Sequence, residues 1–342
     1  MSASDGIVVG VDIGGTKTAI LVCDDNGVVL ARSVAPTAVG ERDRAADTIA
    51  ALVEAAIHIA GAKRSDVAAL GVGVPGRVDR QRGHVTLAVN LDWHDLALGP
   101  RLESRLGIPT IVENDVRAAV LGLHQRRLFG PVESLALLAI GTGISAGVVL
   151  DGVLHRGALG LAGEIGHAIV QPDGPRCACG NNGCFEAIAA GPAIVARTRA
   201  GWAARSNGTA PHVAGDATTV ADAESVFAAA ATGDPVASEV IESTGRAIAW
   251  GIYLLALAYD VEQIVIGGGV SHAGEPFMAP IRRQLAAYAV ASPLAAEILQ
   301  PDLVQLLPAG ADAGAWGAVT VARASLDRGA TMATQRREVG LA

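Results

Sequence analysis

Apolar residues along this chain come in short continuous runs, each closed by glycine or by a polar turn. The first run, Ile7-Val8-Val9-Gly10-Val11, breaks at Asp12-Ile13-Gly14-Gly15-Thr16-Lys17, and a second, Ala19-Ile20-Leu21-Val22, follows at once. Asp24-Asp25-Asn26-Gly27 separates that run from Val28-Val29-Leu30. Runs of this length bounded by turn residues predict strands, and Asn-Gly between two of them predicts a hairpin. The period then changes. Ile49, Leu52, Val53, Ala56, Ile57 and Ala60 share one face of a helix. A strand over 68–74 ends at Pro75-Gly76, and another over Thr110–Glu113 runs through Asn114-Asp115 into a helix over 116–125. Asp115 is the expected N-cap of that helix.

The opening pattern recurs. Leu135 to Ile140 predicts a strand, Gly141-Thr142-Gly143 a turn, Ser145 to Leu150 a strand, and Asp151-Gly152 a hairpin into Val153-Leu154. Strand, Gly-Thr turn, strand and hairpin therefore occur twice, about one domain's length apart. We read this as a degenerate internal duplication. Farther on, Asp234-Pro235 combines an N-cap with proline at the first helical position. It opens a helix expected to reach about Tyr259. A strand over 263–266 then ends in Gly267-Gly268-Gly269. Strands alternating with helices indicate an α/β architecture. Residues 204–222 read as a polar loop, and the last dozen residues as a frayed tail.

Composition narrows the class. Of 342 residues, 51% are hydrophobic and only 3% aromatic, so the core must be built from Ala, Val, Leu and Ile. The net charge of -8 argues against a basic nucleic-acid surface. No run of 18 apolar residues suggests a membrane span, and MSASDG lacks the features of a signal peptide. A cytoplasmic protein without nucleic-acid or membrane partners is expected.

Two sets of residues carry chemistry. A Gly-Gly-Thr turn between strands lets backbone N–H groups converge on phosphate oxygens. Here Gly14, Gly15 and Thr16 form such a turn, with Asp12 placed to hold a magnesium ion through water and Lys17 to add a cation. Gly141, Thr142 and Gly143 form a second turn, and Gly267, Gly268 and Gly269 follow a third strand. Neither turn has the spacing of a Walker loop or of a dinucleotide-binding fingerprint. The second set is Cys177, Cys179 and Cys184, three of only four cysteines. Structural zinc takes four ligands, often three thiolates and an imidazole. His167, ten residues upstream, is the nearest imidazole for the fourth place; Asp173 is closer but a less common choice. If zinc takes one nitrogen of the imidazole, the other is left to meet a ligand.

These segments together resemble a known family. GVDIGGTKTAI, GVGVPGRVD, NLDW, VENDVRAAV, AIGTGISAGVVLDG, GEIGH, CACGNNGCFE and VIGGGV occur in the order seen in the ROK family of sugar kinases and repressors. The resemblance covers about residues 7 to 320. It implies two actin-like (ribonuclease H-like) lobes with a nucleotide cleft between them, divided at 115/116. Lobe 116–311 would carry a zinc loop at 164–186, a helix around 312–328 would return to the first lobe, and 329–342 would form a flexible tail.

The resemblance further implies an ATP-dependent hexokinase that uses ATP with Mg2+ and a structural Zn2+ on His167, Cys177, Cys179 and Cys184. Asp115 would be the catalytic base. Asn114, Glu164, His167 and Glu186 would bind the sugar, with Gly76 and Asn90 as further contacts. Glucose is the expected acceptor. N-acetylglucosamine, N-acetylmannosamine, mannose or fructose are the alternatives, with a non-catalytic sugar-sensing regulator as the reading from another class. Repressors of the family carry a helix-turn-helix domain ahead of the first phosphate turn, and eleven residues before Asp12 are too few for one. Where many members have Ser, this chain has Ala190, a position able to influence the sugar pocket. The family also favours a homodimer or homotetramer.

Overall fold

The computed structural model describes residues 6–205 and 221–338, with side chains described as far as residue 326. Most of the expected polar loop at 204–222, the first five residues and the last four of the expected tail lie outside the described residues. The strands are β1 (Ile7–Ile13), β2 (Lys17–Cys23), β3 (Val29–Pro36), β4 (Val67–Val74), β5 (Arg77–Asp79), β6 (His84–Ala88), β7 (Trp93–Leu96), β8 (Thr110–Asn114), β9 (Leu135–Ile140), β10 (Ile144–Leu150), β11 (Val153–His155), β12 (Gln263–Gly267) and β13 (Val304–Leu306). The helices are α1 (Ala45–Ile59), α2 (Leu98–Leu106), α3 (Asp115–Gln125), α4 (Phe185–Ala189), α5 (Gly191–Arg205), α6 (Ala223–Ala231), α7 (Pro235–Tyr259), α8 (Glu275–Ala291), α9 (Pro293–Ile298) and α10 (Ala313–Glu338).

The first sheet has the order β3-β2-β1-β4-β8 and the second the order β11-β10-β9-β12-β13. Position for position these are the same plan, which is what the recurring sequence pattern predicts. In the first sheet β1 is antiparallel to β2 and parallel to β4, and β4 is parallel to β8. In the second, β12 is parallel to both β9 and β13. A third sheet, β5-β6-β7, has three short strands.

The apolar runs are continuous because the first sheet is covered on both faces. On one face Val9, Val11, Ile13, Ile20, Val22, Leu70, Val72 and Val74 join a core completed by α1 and α2. On the other, Val8, Leu21, Cys23 and Ala69 meet Ala315, Val319 and Ala322 of α10. Each fully buried Val or Leu contributes about 1.5–3 kcal/mol. With so few aromatics, close backbone approach replaces bulk. A Cβ added at Gly71 would lie 2.0 Å from the Ala318 carbonyl oxygen, so β4 and α10 touch backbone to backbone.

The chain groups into two compact units. One comprises the residues up to Pro131, Gly147–Ala162 and those from Asp312 on; the other comprises Val132–Ala146 and Gly163–Ala311. Sequence alone set the division at 115/116, whereas α3 and residues 147–162 group with the first unit. In the second unit α7 packs against α4, α5, α6 and α8. By length and composition α7 is apolar enough to cross a membrane, but 61% of its most apolar window is buried, as in a core helix. Its start is fixed as the sequence predicts, with the Asp234 side chain accepting from the Ala237 amide at 2.7 Å. Helix α10 continues to Glu338, beyond the 328 expected from the sequence.

Candidate active site

The turn after β1 closes with Gly14 N–H donating to Lys17 O at 2.9 Å, and it leaves Gly15, Thr16 and Lys17 exposed. Asp12 precedes it on β1, its carboxylate turned toward the first turn of α10. A Cβ at Gly314 would lie 2.1 Å from an Asp12 oxygen, so only glycine leaves the room that the carboxylate occupies. Among the described residues the Asp12 carboxylate accepts no hydrogen bond. Burial raises its pKa to about 7, Asp115 and Asp312 add to the rise, and Lys17 opposes it.

Asp115 starts α3 at the end of β8, in the same unit as Asp12, and its Oδ1 accepts from the Val116 amide at 2.9 Å. The cap of α3 is not Asp115, as the sequence suggested, but Asn114. The Asn114 Oδ1 accepts from Arg117 N–H at 3.0 Å, while its Nδ2 donates to Gly76 O at 3.1 Å. The helix N-cap is therefore Asn114, and Asp115 is the first residue of the helix. Gly76 is thereby joined to the β8–α3 turn. Asn90 lies exposed in the one-turn helix Val89–Leu91, and a Cβ at Gly15 would come 4.0 Å from its Cβ.

In the second unit, Gly141 N–H donates to Gly143 O at 2.9 Å, the counterpart of the Gly14–Lys17 closure. Gly191 N–H, at the start of α5, donates to Gly141 O at 2.8 Å, and a Cβ on Gly141 would lie 3.9 Å from Gly269 N. The turn after β9 and the glycines after β12 thus come together, with Thr142 exposed. Gly267 ends β12, and Gly268 takes φ +92°. Gly191 was missed from sequence, although Gly191-Pro192 is a helix-start signal.

Glu186 reaches back to the same turn. Its Oε2 accepts from Ile144 N–H at 2.8 Å, and a Cβ on Gly143 would lie 2.6 Å from that oxygen. Glu164 and His167 sit on a loop pinned to β10 by Ala146 N–H donating to Gly163 O at 2.8 Å. Gly163 takes φ +93°, and a Cβ there would come 1.7 Å from Ala146 O, so the loop can follow β10 only with glycine at this point.

His167, Cys177, Cys179 and Cys184 gather so that one ligand atom from each lies within 4.8 Å of the others. Cys179 Sγ is 3.5 Å from Cys184 Sγ, and Cys177 Sγ is 3.8 Å from His167 Nδ1. Tetrahedral zinc with bonds near 2.3 Å spaces its sulfur ligands by about 3.8 Å, so the cluster fits such an ion. Asp173, the sequence alternative, is outside this group. With Nδ1 turned to the sulfurs, Nε2 is the nitrogen left for a ligand.

A profile described as the ROK family matches residues 8–325. The chain belongs to the ROK family. The glucokinase of Thermotoga maritima is 33% identical over 323 residues, covering 92% of this chain and 96% of that protein. The N-acetylmannosamine kinase of Citrobacter koseri is 33% identical over 283 residues, covering 81% of this chain and 87% of that one. The crystal structure of a ROK family glucokinase from Streptomyces griseus, in complex with glucose and AMPPNP, is 32% identical. It superposes with a TM-score of 0.72 over 93% of this chain and 100% of that one.

Proposed function

We propose that this protein is an ATP-dependent hexokinase that phosphorylates the 6-hydroxyl of glucose. The observation that carries the reading is Asp115. It is a carboxylate at the start of a helix already capped by its neighbour, in the same compact unit as a second carboxylate, Asp12, that accepts no hydrogen bond among the described residues. Phosphoryl transfer needs positioning, charge neutralisation and one group to take the hydroxyl proton. Asp115 accepts that proton as the sugar oxygen forms its bond to the γ-phosphorus, and the bond to the leaving oxygen of ADP breaks.

The glycine turns at 14–16, 141–143 and 267–269 supply backbone N–H groups for the phosphates of ATP. Asp12 would hold a hydrated Mg2+: burial and the neighbouring Asp115 and Asp312 disfavour its charged form, with only Lys17 opposing them, and a cation there would offset that penalty. Asn114, Glu164, His167 and Glu186 are the proposed sugar ligands, with Gly76 and Asn90 proposed as further contacts. Zinc on His167 and the three cysteines supplies no step; it fixes the shape of the loop that presents His167.

A kinase for N-acetylmannosamine is the second reading, favoured by the equal identity to a relative of that name. ADP release measured against a panel of hexoses separates the two, with glucose expected to give the highest kcat/KM. No turnover with any hexose would sink the kinase reading. Asp115→Asn is expected to lower kcat by about 100- to 10,000-fold, the range of general-base loss, while sugar binding persists. A preserved rate moves the base elsewhere.

A further inference from the structure

Two residues before Asp115, on β8, stands Glu113, a residue almost wholly buried at 1% exposure. Around this single carboxylate stand three guanidinium groups. Arg117 Nε is 3.2 Å from Oε1, Arg156 Nε is 2.7 Å from Oε2, and Arg80 Nε is 3.6 Å from Oε2. Glu113 Oε1 also accepts from the Asn114 backbone N–H at 3.1 Å. All these residues belong to one compact unit.

The bonds run outward from Glu113 to three separate segments. Arg117 NH1 donates to Gly160 O at 2.9 Å and to Ala162 O at 3.4 Å. The Arg117 backbone N–H donates to Asn114 Oδ1, and Asn114 Nδ2 donates to Gly76 O. Asn114 is therefore held at its amide, its side-chain oxygen and its side-chain nitrogen, and Asp115 is the next residue. Loop 156–162, fixed by Arg156 and Arg117, runs in sequence directly into Gly163-Glu164.

Burying one carboxylate among three cations is a poor way to gain stability, because a well-packed apolar cluster of the same volume often does as well. Such networks are better suited to fixing one arrangement among several. This one has a reason to be placed here. Strand β8 is the edge of its sheet, so no ladder on its outer side fixes the end from which Asn114 and Asp115 project.

We infer that Glu113, with Arg117, Arg156 and Arg80, is the positioning device for Asn114 and Asp115. It substitutes for the missing neighbour strand and ties the β8–α3 turn to the 156–162 loop. This inference rests on the reading of Asp115 as the base. Glu113 touches neither substrate nor reacting atoms; it acts through the residue pair that follows it.

The test is steady-state kinetics with thermal melting on Glu113→Gln, Arg156→Gln and their double variant. Glu113→Gln is expected to lower kcat by about 100-fold, the loss that follows from misplacing a reacting group by an ångström, and to raise the sugar KM. Arg156→Gln should move both in the same direction by less. The double variant should be no worse than Glu113→Gln alone, since members of one network are not additive. A folded Glu113→Gln with a lowered melting temperature but unchanged kcat and KM overturns the inference, leaving a structural role only. If Glu113→Gln does not fold, Arg156→Gln decides, because its side chain is 30% exposed; unchanged kcat and KM there overturn the inference as well. Asp115→Asn separates this from failure of the parent reading. An active Asp115→Asn removes the base, whereas an inactive one beside a fully active Glu113→Gln removes only the positioning role.

Discussion

Asp12 is held far from the ordinary titration range of an aspartate. In an unfolded chain an aspartate titrates near 3.8, and in the folded protein Asp12 titrates at about 7, raised first by burial and then by Asp115. Between those values the folded state holds a proton that the unfolded state has lost. Stability therefore falls as pH rises from about 4 to about 7. Asp12→Asn removes this slope. Its melting temperature, relative to the parent, should be level near pH 4 and rise steadily toward pH 8, while turnover falls by about 10- to 100-fold, as for groups that orient a metal's shell. Melting curves across that pH range check the first part; a flat difference means that Asp12 is charged in the folded protein throughout. Added Mg2+ should flatten the parent's own slope.

At the scale of elements, β4 and α10 are joined through glycine. The Cβ of a Gly71→Ala variant would meet the Ala318 carbonyl oxygen at 2.0 Å, so one of the two backbones must shift. We expect a loss of about 3 kcal/mol, the upper part of the usual range for overpacking, read from the urea midpoint. Turnover should fall too, because α10 begins at Ala313 and its Gly314 faces Asp12. An unshifted midpoint would show that α10 yields freely.

The elements also show what the sequence could carry. Strands β1, β2, β4 and β9 and helix α7 were legible because each is one uninterrupted apolar pattern with a turn or cap at its end. Strands β5, β6 and β7 escaped: they are three to five residues long and mix His84, Thr86 and Asp95 with apolar neighbours, so no period emerges. The cap of α3 was misplaced by one residue because Asn114 and Asp115 are both good caps, and the bond from Asn114 to the Arg117 amide decides it. The local geometry of the candidate site was legible where its residues are close in sequence, as in the Asp12 turn and the gathering of His167 with the three cysteines. Glu113 meeting Arg80 and Arg156, or Asp12 meeting Gly314, joins residues far apart in the chain, and no spacing rule foresees that.

For the molecule as a whole, His167 has two assignments, one in the cysteine cluster and one among the proposed sugar ligands, and the two can be separated by removing the metal. If zinc fixes the loop 164–186, chelation should weaken glucose affinity far more than ATP affinity, because Gly14, Gly141 and Gly268 lie on turns closed by their own backbone bonds. Metal analysis should find about one zinc per chain. The metal's contribution also enters stability through linkage: a ligand at 100 times its Kd adds about 2.7 kcal/mol, so the stripped protein should melt earlier and gain less from added glucose. Cys184→Ser, at a fully buried position, should reproduce the stripped protein without chelator. Calorimetry with glucose and with an ATP analogue, before and after stripping, makes the comparison. Equal loss of both affinities would mean that the metal holds the fold of its unit at large, and an unchanged glucose affinity would take His167 out of the sugar site.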